Sequence, residues 1–129
     1  MIFVDTNVFM YAVGGKHPLR LEARSFFEDT LRQRVPLATS AEVLQEFLHA
    51  YLPVSRLETL DAAMALAEAR MVSIWSVEPE DVRLARLLSD RHAALRARDL
   101  LHLATCLRRD VERIRTFDRA LGAAFGRTP

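Results

Sequence analysis

The sequence predicts a three-layer α/β/α sandwich in which a central, mostly parallel sheet of four to five strands lies between two layers of helices. One observation is a set of short apolar runs suited to buried strands, at residues 2–4, 35–39, 71–77 and 114–117. The other is the chain order β-α-α-β-α-α-β-α-α-β-α, because helical segments separate each run from the next. Parallel strands need such crossover connections, whereas a tight hairpin joins only antiparallel strands.

The helices are predicted from apolar residues that recur at spacings of three and four, with charged residues between them. The predicted spans are residues 8–13, 19–34, 41–52, 56–70, 78–91 and 99–109, followed by a short helix that ends at Gly126. Asn7 and Ser40 precede the first and third helices, where their side chains can accept hydrogen bonds from free amides of the first turn. Gly14 and Gly15 end the first helix, and Pro53 ends the third.

Length and composition are those of one ordinary globular domain, which we expect to span residues 1–129. The formal net charge of +1 creates no overall field that would attract nucleic acid, so any basic patch must be local. The single cysteine, Cys106, cannot form an internal disulfide, which fits a reducing compartment. The sequence has neither a secretory signal pattern nor an apolar run of about 18 residues, so we expect a cytoplasmic protein without a membrane partner.

The apolar first strand, residues 2–4, runs directly into Asp5, Thr6 and Asn7. In open parallel sheets, ligands bind in the crevice outside the carboxyl ends of the strands. A carboxylate at the end of the first strand is therefore placed for chemistry. A polar strand-to-helix turn has the same composition, so these residues alone leave both interpretations open.

Four acids occupy positions that such a sheet brings towards one edge. Asp5 follows the first strand, Asp118 follows the last, Asp99 opens the long helix, and Glu46 lies on the helix after the second strand. Asp99 and Asp118 can instead be simple helix caps, and Glu42, one turn before Glu46, is an equal candidate by spacing. The coincidence of all four positions favours a shared site.

Four carboxylates crowded into one site would repel one another, at a cost on the order of a few kcal/mol for each close pair. A divalent cation removes this repulsion, and hard oxygen ligands suit Mg²⁺ or Mn²⁺. Such an ion beside a phosphodiester can orient a water molecule, lower its pKa and neutralise charge on the phosphate. The chemistry that this pattern indicates is metal-assisted hydrolysis of phosphodiester bonds.

Four short motifs occur in a characteristic order: Val-Asp-Thr-Asn-Val at residues 4–8, Val-Leu-Gln-Glu-Phe at 43–47, Arg-Asp-Leu-Leu-His-Leu-Ala at 98–104 and Thr-Phe-Asp at 116–118. Each is weak alone, but their order and spacing together are fairly specific. They resemble those of PIN-domain ribonucleases, and more closely those of the VapC-type toxins of bacterial toxin–antitoxin pairs. The resemblance extends over essentially the whole chain.

The resemblance implies a PIN-like fold and a metal-dependent endoribonuclease whose catalytic acids are Asp5, Glu46, Asp99 and Asp118. Asp5 and Asp99 would be the direct ligands of Mg²⁺ or Mn²⁺. The register of the second motif selects Glu46 over Glu42, whereas helical spacing alone could not choose between them. All four acids are present, so the resemblance gives no sign of an inactive copy.

The resemblance also implies roles for the polar neighbours of these acids. Thr6, Asn7 and Thr116 would hold the carboxylates or a metal-bound water. The implied partners are an RNA substrate, a small antitoxin protein and a second copy of the chain in a homodimer. Leu100 stands where small residues are common in the family, which bears on helix packing rather than on the ligands.

Further side chains have open roles. Lys16 and Arg98 are candidates to hold the RNA backbone, although a solvated charged face is the ordinary explanation for most basic residues. His102 lies three residues after Asp99 on nearly the same helix face, and either a structural role or a role in the site fits it. Cys106 is expected to be a small buried apolar residue.

Two other functions fit parts of the pattern. A receiver-like signalling domain would bind Mg²⁺ around a phosphorylated aspartate, but it needs a lysine at the end of a late strand. The only lysine in the sequence is Lys16, which comes too early. A non-catalytic PIN-like module would keep the fold and only dock RNA or a protein partner.

Overall fold

In the computed structural model, residues 1–127 are described, and they form four strands and seven helices. The strands are β1 (Ile2–Val4), β2 (Leu37–Ser40), β3 (Ser73–Trp75) and β4 (Arg113–Arg115). The helices are α1 (Thr6–Val13), α2 (Arg20–Arg32), α3 (Ala41–Tyr51), α4 (Leu57–Arg70), α5 (Pro79–Leu88), α6 (Ala97–Arg108) and α7 (Arg119–Arg127). The expected domain span also includes residues 128 and 129, which lie outside the described residues. Within residues 1–127, every helix is too short or too polar to cross a membrane.

All four strands are parallel and are hydrogen-bonded in the order β3-β2-β1-β4. The central strand β1 is the most enclosed, with Phe3 and Val4 at 0% exposure. One apolar cluster is built mainly from α1–α4, and a second from α5–α7. The predicted α/β/α architecture with a parallel sheet is confirmed. Because β1 lies between β2 and β4, the segments that follow these three strands are neighbours at one edge.

The first helix begins earlier than the sequence predicted. It starts at Thr6, and Asp5 is its N-cap, with a carboxylate oxygen 2.7 Å from the Thr6 N–H. The predicted capping role of Asn7 was wrong, because its side chain bonds instead to Thr116 and the segment after β4. Ser40 does hold the N-cap position of α3, but its buried hydroxyl has no hydrogen-bond partner among residues 1–127.

An ion cluster around the buried Asp81 ties α5 to the end of α6. The Asp81 side chain is fully buried and accepts hydrogen bonds from Arg108 at 2.6 Å and from Arg109 at 2.7 Å. Asp81 also accepts the Glu78 N–H at 2.9 Å, as part of a capping box at the start of α5. Burial alone would raise the pKa of Asp81, but the bonds from Arg109, Glu78 and Arg108 lower it to about 2. Asp81 is therefore a fixed negative charge in the folded protein.

Asp81→Asn is expected to destabilise the fold by about 3 kcal/mol, because two arginines then lose a buried carboxylate. Denaturant unfolding at pH 7 measures this loss. The control is Glu80→Gln, which removes an exposed carboxylate that forms an ion pair with Arg83 and should change stability much less. An Asp81→Asn variant as stable as the control would contradict the assignment.

The same cluster predicts a pH dependence. The pKa of Asp81 is lower in the folded state than its ordinary value of 3.8, so the ionised carboxylate stabilises the fold above that value. This contribution is lost as the pH falls from about 4 to about 2. In unfolding experiments over this range, the stability gap between the wild type and Asp81→Asn should close as the pH decreases.

Candidate active site

The junction of β1 and α1 fixes Asp5 at the carboxyl edge of the sheet. Asp5 is 5% exposed, and its Oδ2 accepts a hydrogen bond from the Thr116 hydroxyl at 2.7 Å. The Asn7 amide donates to the Thr116 hydroxyl at 3.3 Å, and the Asn7 Oδ1 accepts the Phe117 N–H at 3.2 Å. These bonds join the end of β1 to the end of β4. The residues that follow the two strands are therefore held side by side.

Glu46 reaches the same place from α3. Its Oε2 accepts a hydrogen bond from the Thr6 hydroxyl, and its Oε1 lies 2.8 Å from Nε2 of His102 on α6. The same nitrogen of His102 is 3.7 Å from Oδ1 of Asp5. His102 therefore lies against two carboxylates that come from different elements of the fold.

Asp99 and Asp118 each lie at the start of a helix. Because α6 begins at Ala97, two residues before its predicted start, Asp99 falls in the first turn, where the Arg96 backbone has a lowering effect on the pKa of its carboxyl group. Asp118 Oδ1 accepts the Leu121 N–H of α7 at 3.1 Å, which is the bond of an N-cap. A capping role and a place in the site are thus compatible for Asp118.

One open pocket of about 500 Å³ is lined by all four acids that the sequence singled out, Asp5, Glu46, Asp99 and Asp118. The other lining residues are Thr6, Asn7, Met10, His49, Ala50, Arg96, Ala97 and Arg98. Glu42 does not line this pocket, so the geometry favours Glu46, in agreement with the register of the motif.

The basic candidates lie in different places. Arg98 is exposed and borders the acidic pocket together with Arg96. Lys16 lines a separate, shallower surface pocket with His17 and Arg20. His49 also lines the acidic pocket, and the sequence pattern did not single it out. Its position three residues after Glu46, on the same helix face, was the available signal.

Burial and neighbouring charges shift the pKa values of three acids of the pocket. Burial raises the pKa of Asp5, although the nearby His102 opposes this effect. Burial and the negative charges of Asp118 and Asp5 raise the pKa of Asp99. Burial would also raise the pKa of Glu46, but the hydrogen bond and charge of His102, together with the Thr6 hydrogen bond and the charge of Arg98, lower that pKa. An additional positive charge would stabilise the ionised forms of Asp5 and Asp99.

The donor set of the pocket fits a divalent cation. Carboxylate oxygens of Asp5 and Glu46 lie within 4.8 Å of each other, and Asp99 and Asp118 line the same pocket. Carboxylate oxygens are the hard donors that Mg²⁺ and Mn²⁺ prefer. Such an ion would also offset the charge repulsion that raises the pKa of Asp99.

The structure locates the two residues of α6 whose roles the sequence left open. His102 is 1% exposed and belongs to the acidic cluster rather than only to the core. Burial alone would lower its pKa, but the hydrogen bond to Glu46 and the charge of Asp5 raise it. Cys106 is completely buried, and burial raises the pKa of its thiol. Cys106 is therefore an apolar filler of the core, as expected.

Comparison with known proteins agrees with this geometry. Residues 2–125 match the PIN domain. Ribonuclease VapC23 from Mycobacterium tuberculosis is 59% identical over 125 residues, which cover 97% of this chain and 98% of that relative. The structure of VapC20 from Mycobacterium tuberculosis, a toxin that cleaves the sarcin–ricin loop, covers 96% of this chain and 95% of its own, with a TM-score of 0.72 at 22% identity.

A solved structure of VapBC2 from Rickettsia felis, bound to a DNA fragment from its promoter, also has a similar chain. It covers 92% of this chain and 88% of its own, with a TM-score of 0.69 at 16% identity. At 22% and 16% sequence identity, the similarity to these two solved structures shows a shared fold. The parallel sheet with its acidic edge is thus that of a PIN domain, and the chain belongs to the PIN-domain family. Within that family, its 59% identity to VapC23 over nearly the full length of both chains makes it a VapC-type protein.

Asp99→Asn is expected to raise the melting temperature measured in EDTA by about 3 °C, roughly the shift that 1 kcal/mol produces in a domain of this size. The reason is that the variant removes a carboxylate that the negative charges of Asp118 and Asp5 repel. Mn²⁺ at 100 times its dissociation constant should stabilise the wild type by about 2.7 kcal/mol, and the variant much less.

The control for this experiment is Asp61→Asn, on an exposed position of α4. It should leave both the melting temperature in EDTA and the response to Mn²⁺ unchanged. A full Mn²⁺ response in Asp99→Asn would mean that Asp99 does not contribute to metal binding.

Proposed function

We propose that this protein is a Mg²⁺- or Mn²⁺-dependent endoribonuclease that hydrolyses RNA phosphodiester bonds at its four-carboxylate pocket. The proposal rests on one observation, which is that four acids from distant parts of the sequence line one open pocket. They are Asp5, Glu46, Asp99 and Asp118, and the first and last of them are more than 100 residues apart. Membership of the PIN-domain family and the identity to a VapC ribonuclease support the same conclusion.

Asp5 and Asp99 are the proposed direct ligands of the metal, and Glu46 and Asp118 complete the negative pocket. When bound, the ion would supply an activated water molecule and positive charge beside the scissile phosphate. The protein's own contribution is orientation. Thr116 and Thr6 donate hydrogen bonds to Asp5 and Glu46, so neither carboxylate is free to rotate.

The mouth of the pocket provides a place for the RNA backbone. Arg96 and Arg98 are exposed there, at the N-terminal end of α6, where guanidinium groups can bind phosphate oxygens. Lys16 lies further away, on its own surface pocket, so it would contact a more distant part of a bound RNA. The pocket is open rather than enclosed, which suits a polymer entering from the surface.

We further propose that the protein is the toxin of a toxin–antitoxin pair, acts in the cytoplasm as a homodimer and is silenced by a small antitoxin. The identity to VapC23 and the fold shared with the VapBC2 chain support a partner protein. An acidic segment of an antitoxin would be attracted to the same exposed arginines as RNA. Inhibition and substrate binding would then compete for Arg96 and Arg98.

Asp5→Asn is expected to reduce metal-dependent RNA cleavage by about 100- to 1,000-fold, since it removes a proposed metal ligand that also caps α1. The measurement is the cleavage rate of purified protein in Mn²⁺, together with sequencing of RNA ends after induced expression. Asp61→Asn, with its exposed carboxylate, is the control and should cleave like the wild type. Full activity in a folded Asp5→Asn variant would exclude the mechanism, and RNA binding without cleavage in the wild type would indicate the non-catalytic module.

Arg98→Ala is expected to raise KM for RNA by roughly fivefold with little change in kcat, because an exposed phosphate contact contributes about 1 kcal/mol. The difference between variant and wild type should shrink as salt is added. Arg83→Ala, on the exposed face of α5, is the matched control. An equal effect of the two substitutions would remove Arg98 from the proposed RNA path.

A further inference from the structure

A buried histidine that contacts two of the pocket's acids has no part in the mechanism above. His102 lies on α6, its side chain is 2% exposed, and its ring contacts the ring of Phe3 at 5.7 Å between centroids. Its Nε2 is 2.8 Å from Glu46 Oε1. Its other ring nitrogen, Nδ1, is buried and has no hydrogen-bond partner among residues 1–127.

These contacts decide which ring nitrogen carries the proton. An ionised carboxylate only accepts hydrogen bonds, so Nε2 must be protonated to bond to Glu46 at 2.8 Å. The opposite neutral tautomer would bury an N–H on Nδ1 without a partner, and would also place two acceptors against each other at the Glu46 contact. A nitrogen that carries a proton has no lone pair for a metal. The arrangement therefore makes His102 a hydrogen-bond donor rather than a metal ligand.

The second oxygen of the same carboxylate is held independently. Thr6, in the first turn of α1, donates its hydroxyl to Glu46 Oε2 while its backbone N–H donates to Asp5. Glu46 has three rotatable side-chain bonds, and free rotation would scatter its charge through the open pocket. Donors on both oxygens confine it to one orientation, and those donors come from α1 and α6.

We propose that His102 is a positioning residue, which fixes the carboxylate of Glu46 from α6 while Thr6 fixes it from α1. The inference rests on the proposed ribonuclease function and adds a residue to it. His102 does not touch the substrate or the ion. It acts on the reaction by fixing the orientation of Glu46. Loss of His102 should therefore lower kcat and leave the affinity for RNA unchanged.

The test compares two variants in which His102 is replaced by an amide side chain, one longer than the other. In His102→Gln, the side-chain nitrogen extends about as far from the backbone as Nε2 and can still donate to Glu46. In His102→Asn, it occupies the region of Nδ1, where no acceptor lies among the described residues. We expect kcat in Mn²⁺ to fall by about 10- to 100-fold in His102→Asn and by less than about fivefold in His102→Gln, with KM for RNA unchanged in both.

Equal losses in the two variants, or wild-type kcat in His102→Asn, would overturn the proposal. So would a change confined to KM. Melting curves of each variant establish what fraction is folded, and kcat is expressed per folded molecule. If His102→Asn does not fold, the proposal is tested by kcat of His102→Gln and by the spectroscopic measurement below.

A measurement without turnover separates this inference from the proposed function. Nitrogen-15 NMR of histidine-labelled wild type, without metal, should show His102 with a proton on Nε2, and the signal should shift in Glu46→Gln. Addition of diamagnetic Mg²⁺ should leave that proton in place. Loss of the proton on Mg²⁺ binding would make His102 a ligand and overturn the proposal. A wild type that retains the proton but cleaves no RNA would refute the ribonuclease function alone.

Discussion

The structure depends on a concentration of negative charge at one edge of a parallel sheet. Asp5, Glu46, Asp99 and Asp118 line the same pocket, and the pKa directions of Asp5 and Asp99 show that burial and mutual repulsion oppose their ionisation. A protein tolerates such crowding only where something offsets it. Within residues 1–127, that compensation comes from helix termini, from hydroxyl and amide donors, and from one buried histidine.

Helix N-termini provide much of this compensation. Asp5 caps α1, Asp118 caps α7, and Asp99 lies in the first turn of α6. The carboxylates of Asp5 and Asp118 each accept a backbone N–H, and all three acids lie at the positive end of a helix dipole. The parallel topology makes this possible for α1 and α7, since each is the first helix after a strand and so starts at the carboxyl edge of the sheet. The topology of the sheet therefore also places Asp5 and Asp118.

Asp81 gives a contrast within the same chain. It is fully buried, yet its pKa is lowered because Arg108 and Arg109 bond to it directly. Its charge is satisfied internally, and the cluster joins α5 to α6. Asp99, by comparison, has two acidic neighbours and no arginine bonded to its carboxylate among the described residues. Among the described residues, the fold itself thus provides a bonded counter-charge for Asp81 but not for Asp99.

The sequence by itself determined the order of strands and helices, the parallel sheet and the four acids, because these depend on hydrophobic periodicity and on positions at element ends. It did not determine contacts between distant elements. Asn is a residue type that often caps helices, which is why the sequence predicted a cap at Asn7. The pairing of β1 with β4 instead brings Asn7 to Thr116. The position of His102 between Glu46 and Asp5, and the separation of Lys16 from Arg98, were likewise decided by tertiary structure. Periodicity reports which face of a helix is buried, whereas a distance of 2.8 Å between residues 46 and 102 requires the packing of α3 and α6 around the sheet.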